Sequence, residues 1–150
     1  MTRFLLALAV AAFGLTTTVH AQTSPTTDAA TQSTDGLPVY SVRMLELREG
    51  VEAEQFETFV KNEFARVFAK PAHGVHPRIV KADRGAAKGK YMLLVVFANK
   101  DVRDKYFPVE DGEPAPALRE DVTPEQVQAA EKLGWFVKFN EYADFVTMGD

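Results

Sequence analysis

The stretch KYMLLVVFAN, residues 90–99, decides how this chain folds. From Met92 to Phe97 it carries no polar side chain, which is the pattern of a central strand apolar on both faces. Side chains alternate across a strand, so Tyr91, Leu93, Val95 and Phe97 belong to one face and Met92, Leu94 and Val96 to the other. A sheet built around such a strand needs a cover on each side. One layer of helices supplies only one.

Working outward, GVHPRIVKA (74–82) reads as a second strand, weakened by Pro77 as an edge strand or a bulge would be, and DRGAAKG supplies two glycines for a hairpin loop into the central strand. Upstream, VYSVRMLEL (39–47) is rich in β-branched and large apolar residues and reads as the first strand. VEAEQFETFVKNEFARVFAK follows, with Phe56, Val60, Phe64, Val67 and Phe68 at helical spacing, Glu52 and Glu54 in the first turn, and Pro71 to stop the helix. Downstream, KDVRDKYF is a short helix ended by Pro108, and VEDGEPAPALRED is an acidic, proline-containing loop. At TPEQ, Thr123 caps a last helix, Pro124 takes its first position, and Gln126 completes a capping box. Val127, Ala130, Leu133, Phe136 and Val137 continue its apolar stripe, and YADFVTMG closes the chain as a strand. Strand, helix, strand, strand, helix, strand is the α+β split β-α-β plait of ferredoxin-like domains, with an antiparallel sheet. The uncovered sheet face predicts a homodimer in which a second copy, related by a two-fold axis, covers it.

The chain divides unevenly. Residues 1–21 carry Arg3, an apolar run from Phe4 to Phe13, and a small-residue ending, VHA, and are expected to be a signal peptide. That run is far shorter than the roughly 20 residues a membrane-spanning helix needs. Residues 22–37, dominated by Thr, Ser, Gln and Asp, are expected to form a disordered tether. Residues 38–150 form one domain, to which nine of the eleven phenylalanines give an ample core. The protein is thus expected in the periplasm or secreted, with no membrane association after cleavage. It has no cysteine, hence no disulfide. Its formal charge of −4 gives no reason to expect a nucleic-acid partner.

VYSVRMLELREGVEAEQFETFV (39–60) resembles the opening of the dimeric α+β barrel superfamily, in particular its NIPSNAP-like members: Tyr40, Arg43, Gly50, Phe56 and Phe59 stand at matching places. RGAAKGKYMLLVVF followed by DVRDKYFP is similar to small exported proteins of that superfamily. The resemblance implies a dimeric barrel. It leaves two functions open, because members include non-catalytic binders and haem-dependent or cofactor-free monooxygenases. The monooxygenases resemble one another in an Asn, Trp and His constellation. This chain departs from it: Trp135 lies in the last helix, and the first strand has no asparagine.

Chemistry-bearing residues are few. PAHGVHP (71–77) brings His73 and His76 three positions apart, but Gly74 and the prolines forbid a helix, and on extended chain that spacing sends them to opposite faces. No metal site is expected, since zinc needs three or four ligands. No cofactor is expected either. His73 belongs to a solvated turn, whereas His76, projecting beside Arg78 and Val80, is a candidate to line a ligand pocket together with Arg78. Arg43 is the most informative single residue: an arginine in an otherwise apolar strand is costly to bury without a partner. It anchors an anionic ligand, pairs across the dimer, or reaches water at the strand edge. Glu110 and Asp111 read as solvated loop charge.

Overall fold

The computed structural model describes residues 36–109 and 113–148. The expected signal peptide, nearly all of the expected tether, and Glu110 with Asp111 lie outside those residues. No helix among the described residues is long and apolar enough to cross a membrane.

Four strands form one antiparallel sheet: β1 (Val39–Leu47), β2 (Val75–Lys81), β3 (Tyr91–Phe97) and β4 (Val137–Val146), in the order β2-β3-β1-β4. The helical segments are α1 (Ala53–Phe59), a π-helical stretch (Val60–Phe64), α2 (Ala65–Val67), α3 (Lys100–Tyr106), α4 (Pro116–Asp121) and α5 (Pro124–Phe136). This strand order, with helices packed on one face, is the ferredoxin-like arrangement anticipated from the sequence.

The first helix is less regular than its pattern predicts. Phe56, Val60, Phe64 and Phe68 recur every four residues, and on a 3.6-residue helix that spacing drifts by about 40° at each step. The wider π turn over Val60–Phe64 counters the drift, so that Phe56, Phe59 and Phe64 are all buried. At α5 the capping box forms as expected. Thr123 N–H donates to Gln126 Oε1 at 2.9 Å, and Gln126 N–H donates to Thr123 Oγ1 at 3.3 Å.

Three expectations are corrected. The segment expected to be wholly loop holds α4, which starts with Pro116 in its first turn. The last strand begins at Val137 rather than near Tyr142: Phe136 ends the helix, and Val137 is already extended and fully buried. The buried side of α5 carries Ala129 and Leu133, while Val127 is exposed.

The strand register sorts every side chain onto one of two faces. Val39, Ser41, Arg43 and Leu45 of β1 share a face with Phe97, Val95, Leu93 and Tyr91 of β3, and on that face the helices pack. One core cluster gathers Leu45, Phe56, Phe59, Phe64, Tyr91, Leu133 and Val137, and a second gathers Val39, Phe97 and Tyr106. The opposite face carries Tyr40, Val42 and Met44 with Val96, Leu94 and Met92. No helix among the described residues covers it. Tyr40 is 38% exposed, Phe145 beside it on β4 is 56% exposed, and the β3 residues between Tyr91 and Phe97 are only half-buried. Within a single chain the central strand is therefore buried at its ends and not on both faces, as its composition predicted.

Candidate functional site

The two histidines part company at a tight turn. Ala72 and Val75 exchange backbone hydrogen bonds of 3.1 and 2.9 Å around His73 and Gly74, whose φ values are 51° and 75°. Two consecutive left-handed residues closing a hairpin make a type I′ turn, a place that glycine fills freely and histidine tolerates better than most residues. Gly74 is required there for a second reason, because a Cβ would lie 3.2 Å from Ala98 Cβ and 3.3 Å from Val102 Cγ1. His73 is exposed on this turn, as expected. His76 lies on the open sheet face opposite Val96, next to Arg78 opposite Leu94. Arg78 Nη2 stands 3.2 Å from His76 Nδ1. Among the described residues no group of three or more histidine or carboxylate side chains is arranged to hold a metal ion.

Arg43 faces the other way. It sits mid-strand on the helix side, paired with Leu93 on β3 and Tyr142 on β4, so the three candidate residues do not form one site. Its guanidinium lies over the Tyr142 ring, 4.4 Å from the centroid, a favourable cation–π arrangement. Among the described residues it makes no salt bridge, although Arg103, close by on α3, makes two.

Tyr142 belongs to a polar cluster that the sequence reading missed. Buried Ser41 donates its hydroxyl to Asp144 Oδ1. Arg103 Nη1 donates to Asp144 Oδ2 at 2.5 Å, and its Nε to Asp104 Oδ1 at 2.5 Å. Burial works against a charge on Asp144, but bonds from Ser41, Tyr142 and Arg103 outweigh it and hold the carboxyl below its ordinary range. Burial first, and then the hydrogen bond to Asp144, push the Tyr142 phenol up to about 12. Tyr142 therefore stays a neutral donor at any ordinary pH. A bulge in β4 between the residues opposite Arg43 and Leu45 keeps Tyr142 and Phe139 on the same face although they are three apart. Arg103, Asp104, Phe107, Tyr142 and Asp144 line an open groove of about 460 Å³, a volume in the range of small-molecule sites.

A second polar knot lies under α4. Asp121 Oδ2 accepts from Lys105 Nζ at 2.6 Å and from the buried Tyr106 hydroxyl at 2.7 Å. It borders a separate cavity of about 120 Å³ behind the His73 turn.

No protein-family model matches this chain, and no curated protein matches it. Solved structures of similar chain course include a dimeric protein of unknown function and ferredoxin-like fold from Bacteroides fragilis, with 16% identity over 73% of this chain and 96% of that one, at a TM-score of 0.47. SnoaB, a cofactor-independent oxygenase from Streptomyces nogalater, has 16% identity over 76% and 96%, at 0.45. A hypothetical protein of Arabidopsis thaliana has 16% identity over 77% and 93%, at 0.47. The likeness concerns the course of the chain and not its chemistry.

Proposed function

We propose that this protein is an exported homodimeric binding protein that holds a small organic anion against Arg43, on the helix side of its sheet, without catalysing a reaction. The carrying observation is the guanidinium of Arg43. Arg43 is half-buried, its guanidinium lies over the Tyr142 ring, and it has no carboxylate partner among the described residues, whereas neighbouring Arg103 has two. Partial burial of a charge without a counter-ion is costly, and an anion lowers that cost. Tyr142 adds an aromatic surface beside the guanidinium, its hydroxyl being engaged by Asp144. An aromatic or short-chain carboxylate matches this pair, since arginine grips a carboxylate through two parallel hydrogen bonds.

The homodimer reading is supported by the open sheet face. Val42, Met44, Met92, Leu94 and Val96 form a continuous half-exposed apolar surface, which a two-fold copy of itself would bury. Export is supported by the pattern of residues 1–21 alone. N-terminal sequencing of protein from a periplasmic fraction should read Gln-Thr-Ser, and a mature chain starting at Met1 would sink that reading.

The binding reading is tested by calorimetric titration of benzoate into the purified protein, beside Arg43→Gln. Saturable binding that falls at least tenfold in the variant is expected. Equal affinity in both proteins would refute it. A Soret band in the protein purified from its host, or oxygen uptake with an added quinol, would instead favour the monooxygenase alternative.

A further inference from the structure

We infer that the cavity between the His73–Gly74 turn and α4 is a second binding site, for a small neutral hydroxylated molecule about the size of phenol. It is a half-open cleft of about 120 Å³, room for one small ring of the kind that cavities of roughly 150 Å³ take up. Phe68, Val75, Leu118 and Val122 give it apolar walls, and its polar lining is His73, Tyr106, Asp121 and Gln126.

The chemistry of that polar wall selects the ligand. Asp121 Oδ2 is occupied by Lys105 and Tyr106, but Oδ1 accepts no hydrogen bond among the described residues. The Tyr106 hydroxyl donates to Asp121 at 2.7 Å and accepts from Lys105 Nζ at 3.2 Å, so it is already partnered and the open acceptor is Asp121 Oδ1. At Asp121 Oδ1 a hydrogen-bond donor is therefore wanted, while the Gln126 amide in the lining can both donate and accept. The carboxylate charge is already balanced by Lys105 in a 2.6 Å salt bridge, so a cation gains little there and an anion meets a carboxylate. A neutral hydroxyl on a compact apolar body satisfies both walls.

The cavity is also framed by backbone that resists collapse. Gly74 is packed against Ala98 and Val102 with no room to spare, and its carbonyl accepts from Ala98 N–H at 2.7 Å. The reciprocal bonds of the turn fix its other side. The site is distinct from the groove lined by Arg103 and Tyr142: Tyr106 lines one and its neighbour Phe107 the other.

The experiment titrates phenol, benzene and benzoate separately into the full-length mature chain and follows backbone amide resonances. Phenol is expected to shift Val75, Leu118 and Val122 saturably, and to bind roughly two- to tenfold tighter than benzene, the worth of one hydrogen bond. Benzoate should leave these three residues unmoved, and shifts it causes near Tyr142 bear on the Arg43 reading alone. Val122→Phe, which fills the cavity, should abolish the phenol shifts while the spectrum stays folded. Asp121→Asn should shrink the preference for phenol over benzene, and this decides the matter if the phenylalanine variant does not fold. Phenol shifts that do not saturate, or that persist unchanged in the folded Val122→Phe protein, would overturn the assignment. So would a phenol-to-benzene preference that Asp121→Asn leaves intact.

Discussion

Leu93 and Leu94 are adjacent on β3 and should respond in opposite ways to the same substitution. Leu94 lies on the open face, in a row with Val42 on β1 and Arg78 on β2. Leu93 lies on the helix face, in a row with Arg43 and Ile79, and packs against the first core cluster. Full burial of a leucine side chain contributes roughly 1.5–3 kcal/mol, of which about half remains to be gained by half-buried Leu94 when a partner covers it. A two-fold axis counts the loss twice, so Leu94→Lys removes roughly 1.5–3 kcal/mol per dimer from apolar burial alone, about ten- to a hundredfold in Kd. A lysine ammonium with only the partner's apolar face before it adds a desolvation cost of several kcal/mol. The variant should be a monomer at tens of micromolar by light scattering, with circular dichroism of a folded chain. Leu93→Lys instead breaks the core. Losing a fully buried leucine typically costs about 2–5 kcal/mol, and half-buried Leu93, packed against that core, forfeits roughly half of this before the charge is counted, out of a total of about 5–15 kcal/mol for a domain. That protein should be largely unfolded or strongly destabilised. A dimeric Leu94→Lys variant, a reversal of the two phenotypes, or a monomeric unmodified chain at that concentration would refute the two-face reasoning.

Three further outcomes follow from the polar groups and the turn. His73→Asn creates the Asn-Gly pair that type I′ turns favour, so urea denaturation should show stability unchanged or raised by up to about 1 kcal/mol, and a loss would contradict the turn geometry. Spectrophotometric titration should find a phenol with a pKa of about 12 that disappears in Tyr142→Phe. Because the folded pKa is raised, the stability linked to Tyr142 is present below pH ~10 and is lost as pH climbs through 12. The Asp144 carboxyl is depressed, so its contribution is present above pH ~4, its unfolded value, and fades as pH falls through its lower folded value. Asp144→Asn should therefore destabilise the protein at pH 7, and the gap from the parent should narrow at pH 3. A gap that stays constant would show that the carboxylate charge is not what holds Ser41 and Arg103.

What could be read beforehand was what local chemistry controls. The four-residue beat of phenylalanines, the Thr123–Gln126 box, and the apolar run of β3 each announce an element with neighbours close in sequence. Misses occurred where local signals agree with two answers. Phe136 and Val137 extend the α5 stripe equally well as helix or as the first residues of a strand, and no glycine or proline separates them. Tertiary pairing settles it, since Val137 is drawn opposite Leu47 and fully buried. Six-residue α4 is shorter than a helical period pattern can reveal, and Pro116 marks a helix start as readily as a loop. Arg43 was visible because it is out of place in an apolar strand. Tyr142 and Asp144 were not, because what makes them a cluster is Ser41, 103 positions away from Asp144. Their shared strand parity was the available signal, and it acquires meaning only once the β1–β4 register is known.

The helix face is divided between two layers, and the division explains why a polar row survives there. α1 and α5 cover the Leu45–Tyr91 end, and α3 with α4 covers the Val39–Phe97 end, with no buried residue common to both clusters. Between them run Ser41 and Arg43 opposite Asp144 and Tyr142. Closing that gap with apolar side chains would bury Arg43 without a counter-ion, at a cost that half-burial against Tyr142 avoids. The same strand then separates two surfaces one residue apart: Val42 points to the open face and Arg43 to the gap. A charge at Leu94 disturbs Val42 and its row without touching Arg43, Tyr142 or Arg103. The monomeric Leu94→Lys chain should therefore retain benzoate binding within a few-fold of the parent. If affinity vanished together with the dimer, the anion site would have to include the partner copy, and Arg43 alone could not account for it.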